Sequence, residues 1–186
     1  MPHPFEATDL LQHKTISDLS FSWDKSLAAC SVSAVNPASE QATSTIWIYP
    51  ANGGAPWQMT SGASYDHHPR WSPDGQQLAF LSDRAGPTQL FLISRTGGEA
   101  RQLGILQGSV TGFEWSPDGR RLLVLVSLSV DPNLRGARPD PKSGKPPENG
   151  PQVIWKLPYK ADGLGYRLDH ETHLFSLNVD SGQARQ

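Results

Sequence analysis

The sequence predicts an all-β fold, a partial β-propeller made of about three four-stranded antiparallel blades. The first observation behind this prediction is a motif, Trp-Ser-Pro-Asp-Gly, which begins at Trp71 and again 44 residues later at Trp115. The second is that apolar, β-rich runs follow each motif, and the second run precedes a Gly turn, as at Gly97-Gly98. The third is the lack of a sustained helical period. Four short strands in a repeat of this length are typical of propeller blades, WD40-like blades included.

The repeated motif predicts the end of strand A and the turn to strand B in each blade. Ser-Pro-Asp-Gly suits a type I turn, because Pro fixes φ at the second position and Gly closes the fourth. The two Asp side chains could cap backbone N–H groups or act as a carboxylate pair, and their identical place in a repeated turn favours the caps. The Trp side chain is expected to pack between neighbouring blades. The structural motif comprises Trp71, Pro73, Asp74, Gly75, Trp115, Pro117, Asp118 and Gly119.

The repeats predict where the blades lie along the chain. Blade 1 covers about 16–60 and contains a weaker copy of the motif, Phe21-Ser22-Trp23-Asp24-Lys25; its Trp-Asp dipeptide is not repeated, so it is no WD signature. Blade 2 covers about 66–104, and blade 3 about 111–186 with its last strand truncated. Because propellers close with about 4–8 blades, we expect an incomplete propeller from a longer chain, with apolar surface open at both ends. Self-association through those ends is one alternative, and a β-sandwich with accidental repeats is another.

An insertion of about 127–168 separates strands B and C of blade 3. Its seven prolines and several glycines exclude regular structure over 131–151, and Arg135, Arg138, Lys142 and Lys145 make it locally basic. It is either a solvated loop or a loop that contacts a partner. Propeller topology predicts that it shares a face with residues 60–68.

Composition and charge exclude several classes of protein. With a net charge of −2, the chain lacks the excess of positive charge that non-specific binding to nucleic acid requires. No apolar run approaches the length of a spanning helix, and no phosphate-binding loop or other cofactor motif occurs. Cys30 is the only cysteine, so it is expected to be a small buried side chain in a reduced, cytoplasmic protein. The His67-His68 pair and the His170/His173 pair lack the context of a metal site, and we predict none.

Two segments resemble the propeller of the prolyl oligopeptidase family of serine peptidases. One is Asp66-x-x-Pro-Arg-Trp-Ser-Pro-Asp-Gly with the later Gly-Gly-Glu-Ala-Arg-Gln-Leu ending. The other is Trp155-Lys-x-x-Tyr-Lys-x-Asp-Gly-x-Gly-Tyr, followed by His173-Leu-Phe, which is similar to the acylaminoacyl-peptidase and dipeptidyl-peptidase branch. The first motif is less specific, because TolB-type propellers share it.

The resemblance implies a peptide substrate, a C-terminal α/β-hydrolase domain and a propeller that restricts access to the active site. The family's nucleophile lies in a Gly-x-Ser-x-Gly elbow, and this motif is absent from the sequence, so no catalytic residue is assigned. Tyr159, Lys160 and Asp162 either line the opening toward the catalytic domain or form a turn into strand C. A binding propeller, TolB-like or a scaffold for other proteins, is the alternative function.

Overall fold

Three four-stranded antiparallel sheets make up most of the protein. The computed structural model describes residues 6, 9, 12–36, 41–129, 160–161, 165–166 and 170–186. Sheet 1 contains, in order, β1 (Thr15–Phe21), β2 (Leu27–Val35), β3 (Ala42–Pro50) and β4 (Trp57–Gln58). Sheet 2 contains β5 (His67–Trp71), β6 (Gln77–Ser82), β7 (Gln89–Ser94) and β8 (Arg101–Gln102). The all-β class and the partial propeller are thereby confirmed.

Sheet 3 has the same order but a long interruption. It begins with β9 (Ser109–Trp115) and β10 (Arg121–Ser129). A separate two-stranded pair follows, β11 (Lys160–Ala161) with β12 (Gly165–Tyr166), and the sheet resumes with β13 (His170–Asn178) and β14 (Ala184–Arg185). The chain divides into two compact units, Met1–Val126 with Leu174–Gln186, and Ser127–His173. Most of the predicted insertion lies outside the described residues.

Tight turns after the first strand of each sheet explain why these strands pair as hairpins. Gly75 and Gly119 have φ of 67° and 69°, a left-handed conformation that glycine adopts without steric cost. Lys25 occupies the same place in sheet 1 with φ of 56°. A side chain there costs roughly 1–2 kcal/mol, so the first turn is the least favourable of the three.

The core between sheets 1 and 2 is a continuous apolar cluster. Ala29, Ile46 and Ile48 of sheet 1 meet Trp71 and Phe80 of sheet 2, and all but Trp71 are fully enclosed. Burying each large side chain contributes about 1.5–3 kcal/mol. Trp71 therefore packs between two neighbouring sheets.

Sheets 2 and 3 contact each other through backbone groups as well as side chains. The indole Nε1 of Trp115 donates to the carbonyl of Arg70 at 3.1 Å, and Arg101 Nη2 donates to the carbonyl of Val179 at 3.2 Å. Gly104 approaches Gly182 so closely that an added Cβ would lie 2.7 Å from the Gly182 carbonyl oxygen. Only glycine fits at position 104, because a Cβ would collide with this oxygen and because the φ of 69° is left-handed.

Two further properties follow from the described residues. Cys30 is buried on β2, as expected, and burial raises the pKa of its thiol, so it is a packed side chain rather than a reactive one. No helix in the described part of the chain is long and apolar enough to cross a membrane.

Candidate functional site

The first strands of the three sheets lie side by side, with β1 against β5 and β5 against β9. Asp18 on β1 and His68 on β5 hold equivalent positions, three residues before Phe21 and Trp71. Both have left-handed backbones, with φ of 57° and 56°, and both lie in a register irregularity of their strand. A non-glycine residue in this conformation is uncommon, and such strained positions often mark functional sites.

His68 connects the three sheets. Its Nδ1 lies 3.6 Å from Asp18 Oδ1, and its backbone N–H donates to Asp18 Oδ2 at 3.4 Å. On the other side its ring meets Phe113 of sheet 3 edge to face, with centroids 5.3 Å apart. Burial, and then the positive charge of Arg70, lower the pKa of His68 against the opposing effect of Asp18.

The second histidine of the pair faces a different group. His67 Nδ1 lies 3.2 Å from the carbonyl oxygen of Tyr65, and the two rings are 5.3 Å apart. His173 Nε2, in the other unit, lies 3.6 Å from Glu171 Oε2. Nowhere in the described residues do three or more His, Cys, Asp or Glu side chains converge as a metal site would require.

A buried ion pair lies beside β5. Asp66 is fully enclosed, and Arg84 Nη2 is 2.8 Å from each of its carboxylate oxygens. The backbone N–H of Asp66 donates to the carbonyl of Ser44 on sheet 1. The Arg84 guanidinium also lies over the rings of Phe80 and Phe91, 5.2 and 4.9 Å from their centroids. The pair therefore fastens the chain where it passes from sheet 1 to sheet 2.

The repeated turns form identical hydrogen-bond networks. The Ser72 hydroxyl donates to Asp74 Oδ1 and accepts from the backbone N–H of Gln77, and Asp74 Oδ1 also accepts from the N–H of Gln76. The same bonds recur among Ser22, Asp24, Ser26 and Leu27 in sheet 1 and among Ser116, Asp118, Arg120 and Arg121 in sheet 3.

These networks decide the chemistry of the Asp side chains. Asp74 and Asp118 line one small cleft with Trp115. The hydroxyl of the turn Ser, followed by a backbone N–H, lowers the pKa of each carboxyl. A general acid needs a pKa raised toward neutrality, so these two carboxylates cap a turn and do not share a proton.

The proposed substrate-facing residues fall mostly outside the described part of the chain. Tyr159 and Asp162 are outside it. Lys160 is described only in its backbone, which pairs with Tyr166 across β11 and β12. The structural motif residues, in contrast, are all described: they form the turns and the contacts between sheets.

Sequence reasoning missed the residues that join the sheets. Arg95 Nη2 lies 3.0 Å from Asp24 Oδ2 and 2.8 Å from Ser26 Oγ, so it links sheet 2 to the turn of sheet 1. Arg84 and the pairing of Asp18 with His68 were also missed. Arg84, Arg95, Asp18 and His68 all lie outside the repeated motif, so only the fold brings them to their partners.

Comparison with known proteins identifies related sequences. A family model described as the TolB β-propeller domain matches residues 21–135. A Bacillus subtilis protein named uncharacterized peptidase YuxL is 36% identical over 181 residues, which are 97% of this chain and 27% of that protein. Dipeptidyl-peptidase 5 of Porphyromonas gingivalis is 30% identical over 125 residues, 67% of this chain and 18% of that protein. The chain thus spans about a quarter or less of these relatives.

Solved structures share the fold at lower identity. Acylaminoacyl peptidase of Pyrococcus horikoshii superposes with a TM-score of 0.70 at 19% identity, covering 96% of this chain and 25% of that one. The β-propeller domain of the Trilobed protease from Pyrococcus furiosus gives 0.57 at 15% identity, covering 95% and 43%. At these identities the likeness concerns the fold alone.

Proposed function

The chain belongs to the TolB β-propeller domain family, and from this premise we propose that it is the propeller portion of a serine peptidase of the prolyl oligopeptidase family. The observation that carries the proposal is the 36% identity to a named peptidase over 97% of this chain. A relative named dipeptidyl-peptidase 5 supports the same class. The Tyr-Lys-x-Asp-Gly segment, which resembles the acylaminoacyl-peptidase branch, agrees with this class.

In this proposal the propeller selects substrates and a hydrolase domain breaks the bond. Gly-x-Ser-x-Gly is absent from the sequence, and the turn carboxylates are committed to hydrogen bonds. The acyl transfer to Ser, assisted by His and oriented by Asp, therefore belongs to the hydrolase domain. The propeller excludes large substrates, and Tyr159, Lys160 and Asp162 contact the peptide near the opening.

The test compares the full-length gene product with the 186-residue chain. We expect the full-length protein to hydrolyse short peptides, to slow with increasing peptide length, and to lose activity to a serine-directed fluorophosphonate. The 186-residue chain should be inactive. Hydrolysis by this chain that the fluorophosphonate abolishes would overturn the division of labour, and a reading frame that ends at Gln186 would overturn the peptidase assignment.

A variant tests the substrate-facing residues in the full-length protein. Tyr159→Ala should raise KM for peptides with little effect on kcat, because it removes uniform substrate binding. Ile105→Ala, a change at a largely exposed side chain, serves as the control. Equal kinetics in both variants would remove Tyr159 from the proposed opening.

A binding propeller without a peptidase domain is the second candidate, favoured by the TolB description of the matching family. The same experiment tests it: a reading frame without a hydrolase domain would favour the binding propeller over the peptidase.

A cytoplasmic location is part of both proposals, since the single cysteine of this sequence, Cys30, is buried and forms no disulfide. Recovery of the protein from the periplasmic or extracellular fraction would contradict that location.

A further inference from the structure

The junction between sheets 1 and 2 holds a guanidinium group in a defined site. Arg95 directly follows β7 of sheet 2, and its Nη2 donates to Asp24 Oδ2 at 3.0 Å and to Ser26 Oγ at 2.8 Å in the turn of sheet 1. Its Nη1 donates to the carbonyl of Gly75 at 3.4 Å, and the guanidinium lies 6.0 Å from the centroid of the Trp71 ring. The turn carboxylate of one sheet therefore binds the cation together with the turn and the Trp of the next sheet.

The junction between sheets 2 and 3 has the same framework with a different residue at the position of the cation. The backbone N–H of Arg95 donates to the carbonyl of Gln76, and the N–H of Val179 donates to the carbonyl of Arg120, which is the equivalent residue of sheet 3. Val179 thus stands in sheet 3 where Arg95 stands in sheet 2. Its side chain is shorter and uncharged, so it leaves space at this second junction and supplies no positive charge.

A small cleft lies at the second junction. Its volume is about 180 Å³, and the residues that line it include Asp74, Trp115, Gly119, Val179 and Asp180. The first three are the counterparts, one sheet later, of the carboxylate, the ring and the turn glycine that surround the guanidinium at the first junction. Sites for drug-sized ligands have volumes of roughly 300–1,000 Å³, so this cleft suits the head group of a single side chain.

The cleft presents hydrogen-bond acceptors that the described residues leave without donors. Asp74 Oδ1 accepts from its own turn, but no described residue donates to Oδ2, the oxygen whose counterpart in Asp24 binds Arg95. Gln77 lines the same cleft, and its Oε1 is buried without a donor among the described residues. Burying an acceptor without a donor is unfavourable, so a ligand with several N–H groups would complete this site.

Two sequence differences between the junctions favour a cationic ligand. Val179 in place of Arg95 removes a positive charge, and Asp180 in place of Thr96 adds a negative one. Among the described residues, no Lys or Arg forms an ion pair with Asp74 or Asp180. A guanidinium suits the acceptors better than an ammonium does, because it offers five N–H donors in a planar fork and stacks on aromatic rings.

We propose that the cleft between sheets 2 and 3 binds a guanidinium group of another molecule, carried by an arginine side chain of a peptide or by a small guanidino compound. Arg95 at the first junction is the internal template for this ligand. The proposal does not depend on the peptidase assignment.

The test is titration calorimetry on the full-length protein at constant ionic strength. Methylguanidine represents a small guanidino compound, and N-acetylarginine methylamide represents an arginine within a peptide. N-acetyllysine methylamide is the matched ammonium probe. We expect saturable binding of a guanidinium probe in the millimolar range and weaker binding of the lysine probe.

Three variants assign the binding to the cleft. Asp74→Asn keeps an oxygen for the backbone N–H of Gln76 but removes the charge, so it should weaken binding about fivefold, as loss of a partly exposed ion pair does. Glu99→Gln removes the same charge at an exposed residue outside the cleft and should bind like wild type. Val179→Arg should abolish binding, because the chain then fills the cleft with its own guanidinium. Circular dichroism checks the fold of each variant, and the first two decide the question if Val179→Arg does not fold.

The outcomes separate the possible ligands. Binding of N-acetylarginine methylamide identifies an arginine side chain as a ligand, and binding of methylguanidine alone identifies a small compound. Absence of saturable binding by either guanidinium probe overturns the proposal, and so does equal affinity for the lysine probe. Equal losses in Asp74→Asn and Glu99→Gln would also overturn it, because binding would then depend on net charge rather than on the cleft.

Discussion

Replacement of Arg84 by Met should remove much of the stability of the protein. Asp66 is fully enclosed, and Arg84 Nη2 contacts both of its oxygens at 2.8 Å. Met keeps an unbranched apolar stem that can pack on Phe80 and Phe91, so the change removes mainly the charge. A buried carboxylate without its partner costs about 3–5 kcal/mol. Since the Arg84 side chain is 27% exposed, water screens the pair partly and we expect about 3 kcal/mol, the lower end of that range.

The assay is the free energy of unfolding from a urea titration, followed by the fluorescence of the six tryptophans. The matched control is Arg95→Met, which breaks a 3.0 Å contact with Asp24, a side chain that is 49% exposed. Exposed pairs contribute little, so the control should lie close to wild type. Loss of about 3 kcal/mol would be a large fraction of the roughly 5–15 kcal/mol that holds a domain together.

A double variant separates the charge from the packing. Asp66→Asn combined with Arg84→Met leaves no unpaired charge, so it should be more stable than the sum of the two single effects predicts. Additive single effects, or an Arg84→Met cost no greater than that of Arg95→Met, would refute the buried-pair argument.

Four further substitutions test the turns and the histidine of β5. Lys25→Gly should raise the midpoint of thermal unfolding, because it removes the strain of about 1 kcal/mol that a side chain causes at a left-handed φ. Gly119→Ala should lower the midpoint, because it introduces the same strain in the turn of sheet 3. Ser72→Ala should cost about 1–2 kcal/mol in a urea titration, since it leaves a backbone N–H of the turn without its acceptor; unchanged stability would contradict the network. His68→Asn, which retains a residue that tolerates left-handed φ, should reduce the loss of folding stability that occurs as the pH drops below about 6.5. The folded pKa of this histidine is lowered, so the unfolded state binds more protons and wild-type stability falls as pH drops through the unfolded value near 6.5. An equally steep fall in His68→Asn would assign that loss to other groups.

Strand order and turns could be predicted from the sequence because they depend on local chemistry. Trp71 and Trp115 identify the repeat, and the Ser-x-Asp turn needs only residues within five positions of one another. The fold class and the packing of Trp71 between sheets follow from these patterns. The same reasoning assigned the turn Asp to capping rather than catalysis.

The contacts between sheets could not be predicted in this way. Arg84 and Arg95 meet partners 18 and 71 residues away, and neither lies in the repeated motif. On a regular strand His68 would point to the face opposite His67, but its φ of 56° breaks that alternation and turns it toward Asp18. The pattern of apolar residues along a strand does not reveal which non-glycine residue adopts a left-handed φ.

The equivalence of Asp18 and His68 shows how a repeat can produce a specific contact. Each residue interrupts its strand at the same place, so the two irregularities lie side by side when β1 packs against β5. Gly112 stands at the corresponding position of β9 and has no side chain to offer, so Phe113 supplies the contact from sheet 3 instead. The repeat therefore provides the position, and the residue that differs in each copy decides which interaction forms there.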